Sequence, residues 1–232
     1  MTLKANWEVV GSPIDPDSDE RLFFTDHEWE TVEAATARII PTDGDPGAKE
    51  ARVVVFIDRY LSGIGYIFAA ADGSGFLKLT GKFADAWRSR MYDMQRTYRE
   101  GLRHLDTIAN EEAGQDFKAL AEQDQDRVLE IVSGGPKPTR VTLGVSDSVG
   151  TFLQGVFDQG LPFFDALCLH TCQGFYCDPV YGGNRDQVGW KMIGFPGPKS
   201  LKDTMDGTYD THAYFEPEYD WNDLIPHLAE QQ

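Results

Sequence analysis

Seven apolar residues, Phe83, Trp87, Met91, Met94, Tyr98, Leu102 and Leu105, recur at spacings of 4, 4, 3, 4, 4 and 3. At about 100° per residue they fall within one arc of roughly 100°. A strand would scatter the same residues over both of its faces. The stripe therefore predicts a long amphipathic helix, and an apolar face of that length has to be covered by other packed elements.

Shorter segments carry the same period. Thr25 and Glu28 have capping-box spacing, and Trp29, Val32, Ala35 and Ile39 follow on one helical face until Pro41. A second helix is predicted over about 49–68, on Val53, Ile57, Tyr60, Ile64 and Phe68, with Gly63 and Gly65 weakening its end. Residues 117–132 read as one kinked helix or two short ones. Ser146 is placed to cap a fifth helix through Phe152, Val156 and Phe157. Pro162 suits the first turn of a sixth, carrying Phe163, Phe164, Leu167 and Thr171. The expected fold is mainly α: a helical bundle of about six helices with a long irregular, aromatic-rich C-terminal segment. Residues 1–24, with Asp15, Asp17, Asp19 and Glu20, read as an extended acidic arm, and 25–232 as a single domain. Its last stretch, 174–232, holds 10 of the 28 aromatics, 7 of the 23 glycines and 5 of the 12 prolines. Such a coil cannot stay exposed and has to wrap its own helices or a partner.

With 232 residues the chain is long enough to bury a core of its own. Its net charge of −17 excludes a general nucleic-acid or anionic-membrane binder. No run approaches the roughly 18 apolar residues of a membrane span. Residues 1–12 have one lysine, no apolar run and no twin arginine, so they do not read as an export signal. The charge is uneven. Residues 78–103 hold seven bases against three acids, a net of +4 that leaves −21 on the rest. Arg88, Arg96, Arg99 and Arg103 share one side of the long helix, as a solvated face or as a docking face for an acidic partner.

Chemistry-bearing constellations are few. Cys168, Cys172 and Cys177 enclose His170 and offer three thiolates to an iron–sulfur cluster or zinc, but no CxxC pair is present. Buried thiols or a disulfide are the simpler reading. The five histidines are scattered, and there is no HExxH, GxSxG, GxGxxG or P-loop. No catalytic, cofactor-binding or metal-ligating residue is expected in this chain.

The most specific stretch is 178–197, DPVYGGNRDQVGWKMIGFPG. Asp178-Pro179 starts a turn, Gly182, Gly183 and Asn184 tolerate positive φ, and Tyr181, Trp190 and Phe195 supply large apolar area. Either this is a tightly folded lobe of the chain itself, or it is a set of anchors for a partner. Alanine at Trp190 or Tyr181 separates the two: loss of partner binding marks an anchor, loss of melting temperature marks the chain's own core.

Written as DPxYGGNxDxxGWxxIGFPG, this stretch resembles the gluconate 2-dehydrogenase subunit 3 family, the small or gamma subunits of membrane-associated FAD-dependent sugar dehydrogenases. Phe23-Phe24-Thr25-Asp26-His27-Glu28, Ile39-Ile40-Pro41-Thr42-Asp43, Pro46-Gly47-Ala48-Lys49-Glu50-Ala51 and Phe56-Ile57-Asp58 resemble it too. The resemblance covers roughly 22–200. It implies a non-catalytic subunit that stabilises a large flavoprotein of the glucose-methanol-choline oxidoreductase type. That partner would hold the FAD, the catalytic histidine and often an iron–sulfur cluster, and a c-type cytochrome commonly takes the electrons onward. Family members usually carry a twin-arginine leader, from which this sequence departs. The expected partner-interface set is Tyr181, Gly182, Gly183, Asn184, Trp190 and Phe195, with Arg88 and Arg99. The alternative is an independent iron–sulfur or zinc protein on Cys168, Cys172 and Cys177; an all-α adaptor using the arginine face is a third reading.

Overall fold

The computed structural model describes residues 8–10, 17–63, 68–69, 76–135, 158–195 and 197. They form a mainly α structure, with six α-helices among the described residues and a small antiparallel sheet.

Helix α1 (Asp26–Ile39) starts at the capping box. The Glu28 amide donates to the Thr25 hydroxyl at 3.3 Å, and the Thr25 amide donates to the Glu28 carboxylate at 2.9 Å. Trp29, Val32 and Ala35 are buried, and Ile39 sits at the rim of the core. Replacing Thr25 by alanine is expected to lower the unfolding free energy by about 1 kcal/mol. The check is a lower denaturant midpoint with an unchanged slope.

Helix α2 (Val53–Leu61) is shorter than the predicted 49–68. Residues 48–52 form turns, and Arg52 is left-handed, with φ 54°, so the helix cannot begin earlier. It ends at Ser62, after which Gly63 takes φ 72°. Phe68, read as a helical position, lies in a strand. Strands β1 (Glu8–Val10), β2 (Phe68–Ala69) and β3 (Phe76–Lys78) form a sheet in the order β1-β3-β2, which the sequence reading did not anticipate. Strands of two and three residues leave no alternation to detect.

Helix α3 (Gly81–Ala113) is the predicted long helix, 33 residues. Trp87, Met91, Met94, Tyr98, Leu102 and Leu105 are buried as expected. Phe83 is not: it is 70% exposed. In the first turns of α3, Ala84, Trp87 and Met91 join Leu79 in a small satellite cluster against Tyr60.

The kinked-or-double helix resolves as two pieces, a 3-10 turn Phe117–Ala119 and helix α4 (Glu122–Ser133). The break is held by Asp106, whose carboxylate accepts the Phe117 amide at 3.0 Å, and by Gln125, whose side chain donates to the Phe117 carbonyl at 3.1 Å. Helix α5 (Phe163–Tyr176) has Pro162 as its N-cap, one position earlier than predicted. Phe163, Leu167 and Thr171 are buried, and Phe164 is half-buried. The signature then folds as 3-10 turns Pro179–Tyr181 and Arg185–Gln187 and the short helix α6 (Val188–Met192). The predicted fifth helix over 146–157 and the final 198–232 lie outside the described residues.

Helix α2 packs on α5, α1 on α2, and α3 along α4. One core joins them, with Val32, Ile57, Leu61, Tyr98, Leu105, Phe117, Leu167 and Phe175 at its centre. No helix among the described residues is long and apolar enough to cross a membrane.

Candidate functional site

The signature residues converge on the C-terminal end of α5. Asn184 is fully buried and works as a three-way clamp. Its side-chain amide donates to the Cys177 carbonyl at 2.8 Å, its side-chain oxygen accepts the Gly189 amide at 2.8 Å, and its own amide donates to the Gly174 carbonyl at 2.8 Å. Trp190, 7% exposed, donates its indole N–H to the Tyr176 carbonyl at 2.8 Å and meets the Phe195 ring edge-on, with centroids 5.1 Å apart.

The two glycines are required by close approach. Gly182 has φ 95°, and a Cβ there would stand 2.5 Å from a terminal nitrogen of Arg59. A Cβ on Gly183 would stand 2.2 Å from the Gly174 carbonyl oxygen. Asn184, Asp186 and Gln187 also have positive φ, at 46°, 56° and 59°. Left-handed non-glycine residues each cost on the order of 1 kcal/mol and persist where the surroundings over-determine them.

Of the expected interface set, Gly182, Gly183, Asn184 and Trp190 are therefore buried in the chain's own fold. Tyr181 and Phe195 are half-buried, and the Tyr181 ring meets Phe76 of β3 edge-on at 6.3 Å. The outward apolar residues of this lobe are Tyr176, Met192 and Ile193, which sequence reasoning missed.

The two arginines pair with other parts of the chain. Arg88 is exposed and pairs with Asp85 on its own helix at 2.9 Å. Arg99 is turned inward: it pairs with Glu28, donates to the Phe23 carbonyl at 3.0 Å and lies 4.3 Å over the Phe23 ring. Arg96 pairs with Asp93, and Arg103 donates to the Arg99 carbonyl. The charge that looked like a uniform basic face is thus partly neutralised within the chain.

The three cysteines form no disulfide. Cys172 is exposed and Cys168 and Cys177 are half-buried. Burial pushes the Cys177 thiol up to about 12 and raises Cys172, which opposes the thiolate that a metal needs. Among the described residues no group of three histidine, cysteine or acidic side chains is arranged to hold a metal ion. Cys168, Cys172 and Cys177, the ligand set of the alternative reading, form no such group, and His170, which they enclose in sequence, points into the core.

That histidine belongs to a buried polar cluster that the sequence did not disclose. His170 is fully buried on α5, and the Asp158 side chain, 1% exposed, stands before that helix. The His170 Nε2 lies 3.1 Å from the Asp158 carboxylate, and its Nδ1 lies 2.8 Å from the Tyr98 hydroxyl. An ionised carboxylate can only accept, so Nε2–H is the donor, and in the neutral ring Nδ1 accepts from Tyr98. Tyr60 donates to the other side of the cluster, to Asp158 at 2.6 Å, and Arg90 Nε donates to Asp158 at 2.6 Å. Arg90 also donates to the Tyr60 hydroxyl at 3.1 Å. Burial works against the Asp158 charge, but bonds from His170 and Tyr60 and the Arg90 charge outweigh it and hold the carboxyl at about 2. Burial raises both tyrosines, helped at Tyr60 by its hydrogen bond to Asp158 and at Tyr98 by the Asp158 charge, so both stay protonated donors. The cluster ties α2, α3 and α5 together. Its members come from residues 60 to 170, and only folding reveals the pairing.

Two of the surface clefts among the described residues carry charged side chains. One, between α1 and α4, is lined by Glu30, Arg38, Lys49, Lys118 and Glu122, among others. Its charges are largely paired, Lys118 with Glu30 at 2.5 Å and Arg38 with Glu122 at 2.8 Å. The other is lined by His27, Arg103, Asp106, Thr107, Asn110 and Glu111. His27 and Asp106 lie 2.6 Å apart there, but the Thr107 hydroxyl donates back to the Arg103 carbonyl. The pair joins α1 to α3.

The family model for gluconate 2-dehydrogenase subunit 3 matches residues 26–197. No match was found among curated proteins or solved structures. The matched span begins at the first residue of α1 and ends at Gly197, whose would-be Cβ lies 2.6 Å from the Trp190 ring, so it takes in the capped first helix, the core and the whole signature lobe. This chain belongs to the gluconate 2-dehydrogenase subunit 3 family, a family of subunits of a dehydrogenase complex.

Proposed function

We propose that the chain is the non-catalytic small subunit of a heteromeric FAD-dependent dehydrogenase acting on a sugar or sugar acid, and that it stabilises and assembles a large catalytic flavoprotein. The observation that carries this reading is the family match across 26–197, signature included. Two features of the molecule support it. The polar groups best placed for chemistry, His170, Asp158 and Tyr98, are buried and saturated by one another. The signature lobe is rigidly built and presents Tyr176, Met192 and Ile193 outward, as a docking element would. In this reading hydride passes from the substrate's CH–OH to flavin in the partner, and a c-type cytochrome or similar acceptor takes the electrons on.

Co-expression tests the proposal. The large subunit of the complex, produced with and without this chain, is expected to gain soluble yield, FAD occupancy and activity when the chain is present. A flavoprotein equally soluble, loaded and active alone sinks the assembly role.

A further inference from the structure

Three arginines from separate parts of the sequence meet at residues 17–19. Arg185, in the signature, donates to the Asp17 carbonyl at 3.0 Å and to the Asp19 carboxylate at 3.3 Å. Arg52, just before α2, pairs with the same carboxylate at 2.9 Å. Arg59, on α2, passes close to Gly182 and donates to the Ser18 carbonyl at 2.7 Å. The next residues are held as firmly. The amides of Leu22, Phe23 and Phe24 all donate to the buried Asp58 carboxylate, at 2.6, 3.1 and 2.7 Å.

The backbone under this contact is strained on both sides. Arg52 and Asn184, whose neighbours Ala51 and Arg185 are joined by the Arg185 amide donating to the Ala51 carbonyl at 3.1 Å, are both left-handed. Asp186 and Gln187 follow in the same conformation. Arg52, itself left-handed, and Arg185, which sits between left-handed Asn184 and Asp186, are two residues that share Asp19. Conformations of this kind last only where neighbouring contacts enforce them.

We propose that residues 17–25 are an arginine-held strap that locks the signature turn, so that the N-terminal segment and residues 181–189 order and loosen as one unit. Asp19 is the bridge: it fixes Arg52 and Arg185 together, and so fixes the left-handed turns next to each. The strap makes the conformation of the signature lobe depend on a segment more than 160 positions away in sequence. A protein that seats on the signature lobe tightens the strap, and one that draws the N-terminal segment away loosens the signature. This coupling stands on the chain's own contacts and does not depend on the dehydrogenase reading.

Hydrogen–deuterium exchange of the full chain and of its Asp19→Asn variant tests it. Peptides covering 17–25 and 181–189 are expected to exchange faster in the variant, both by about fivefold, the size suited to partly exposed ion pairs. Peptides from the buried half of α3 are expected to stay unchanged. Faster exchange at 17–25 with 181–189 unmoved overturns the coupling, and no change at either overturns the strap. If α3 also loosens in the variant, the unsubstituted chain is compared at low salt and at roughly 1 M salt, where exposed charges are screened. A joint rise at both segments is again expected, and a rise at one alone, or at neither, overturns the proposal.

Discussion

Asp158→Ala is expected to lower the unfolding free energy by about 3–5 kcal/mol, the usual result of removing one partner from a buried charge pair. Arg90 loses its counter-ion, and the Tyr60 hydroxyl and the His170 Nε2–H lose their acceptor, all at a site where the Asp158 side chain is 1% exposed. The loss spreads over α2, α3 and α5 together, so the transition is expected to stay cooperative and shift as a whole. The same carboxylate sets an acid limb. Its folded value of about 2 lies below the ordinary 3.8, so the unfolded chain takes up the proton first. The stability it supplies is complete above about pH 4 and is lost as the pH falls toward 2. Urea unfolding at stepped pH reads this directly. The unsubstituted chain should lose more stability than Asp158→Ala across that window; parallel curves would show that the cluster does not hold the carboxyl down.

Trp190→Ala is expected to cost about 3–5 kcal/mol and to lower the melting temperature of the isolated chain. The indole is 7% exposed, bonds to the Tyr176 carbonyl and fills the space between Phe195 and Gly197. Assembly with a partner then falls because less of the chain is folded. Tyr181→Ala, at a half-buried position against Phe76, is expected to cost less. An unchanged melting temperature for Trp190→Ala, with weaker partner binding, would make the tryptophan a surface anchor and reverse its assignment to the core.

These two sites differ in how far they could be read from the sequence. The signature was legible as a folded coil, and its residues carry the family resemblance. What the sequence left open was which way its aromatics point. Tyr and Trp serve a core and an interface by the same chemistry, a large apolar body with a polar tip. Trp190 went inward because the Tyr176 carbonyl, the last residue of α5, offered its N–H an acceptor. The Asp158 cluster was not legible at all. His170 was noted only as a neighbour of cysteines, and Arg90 and Asp158 matched no motif.

The sequence by itself determined the local elements. The stripe from Trp87 to Leu105 gave α3, and Thr25 and Glu28 gave the start of α1, whereas the polar run Gln123–Asp126, expected to interrupt the fourth helical region, lies inside α4 and the break falls before it, at Leu120 and Ala121. These signals are local because helix periodicity and capping involve residues three or four apart. The tertiary structure alone decided what each charged and aromatic side chain meets. It turned Arg99 inward to Glu28 and Phe23, left Phe83 70% exposed near the start of α3, and shortened α2 by forcing Arg52 into a left-handed turn. It also brought Asp19, Arg52 and Arg185 to one point. Pairings of that kind depend on which distant residue arrives opposite, and spacing along the chain carries no record of it.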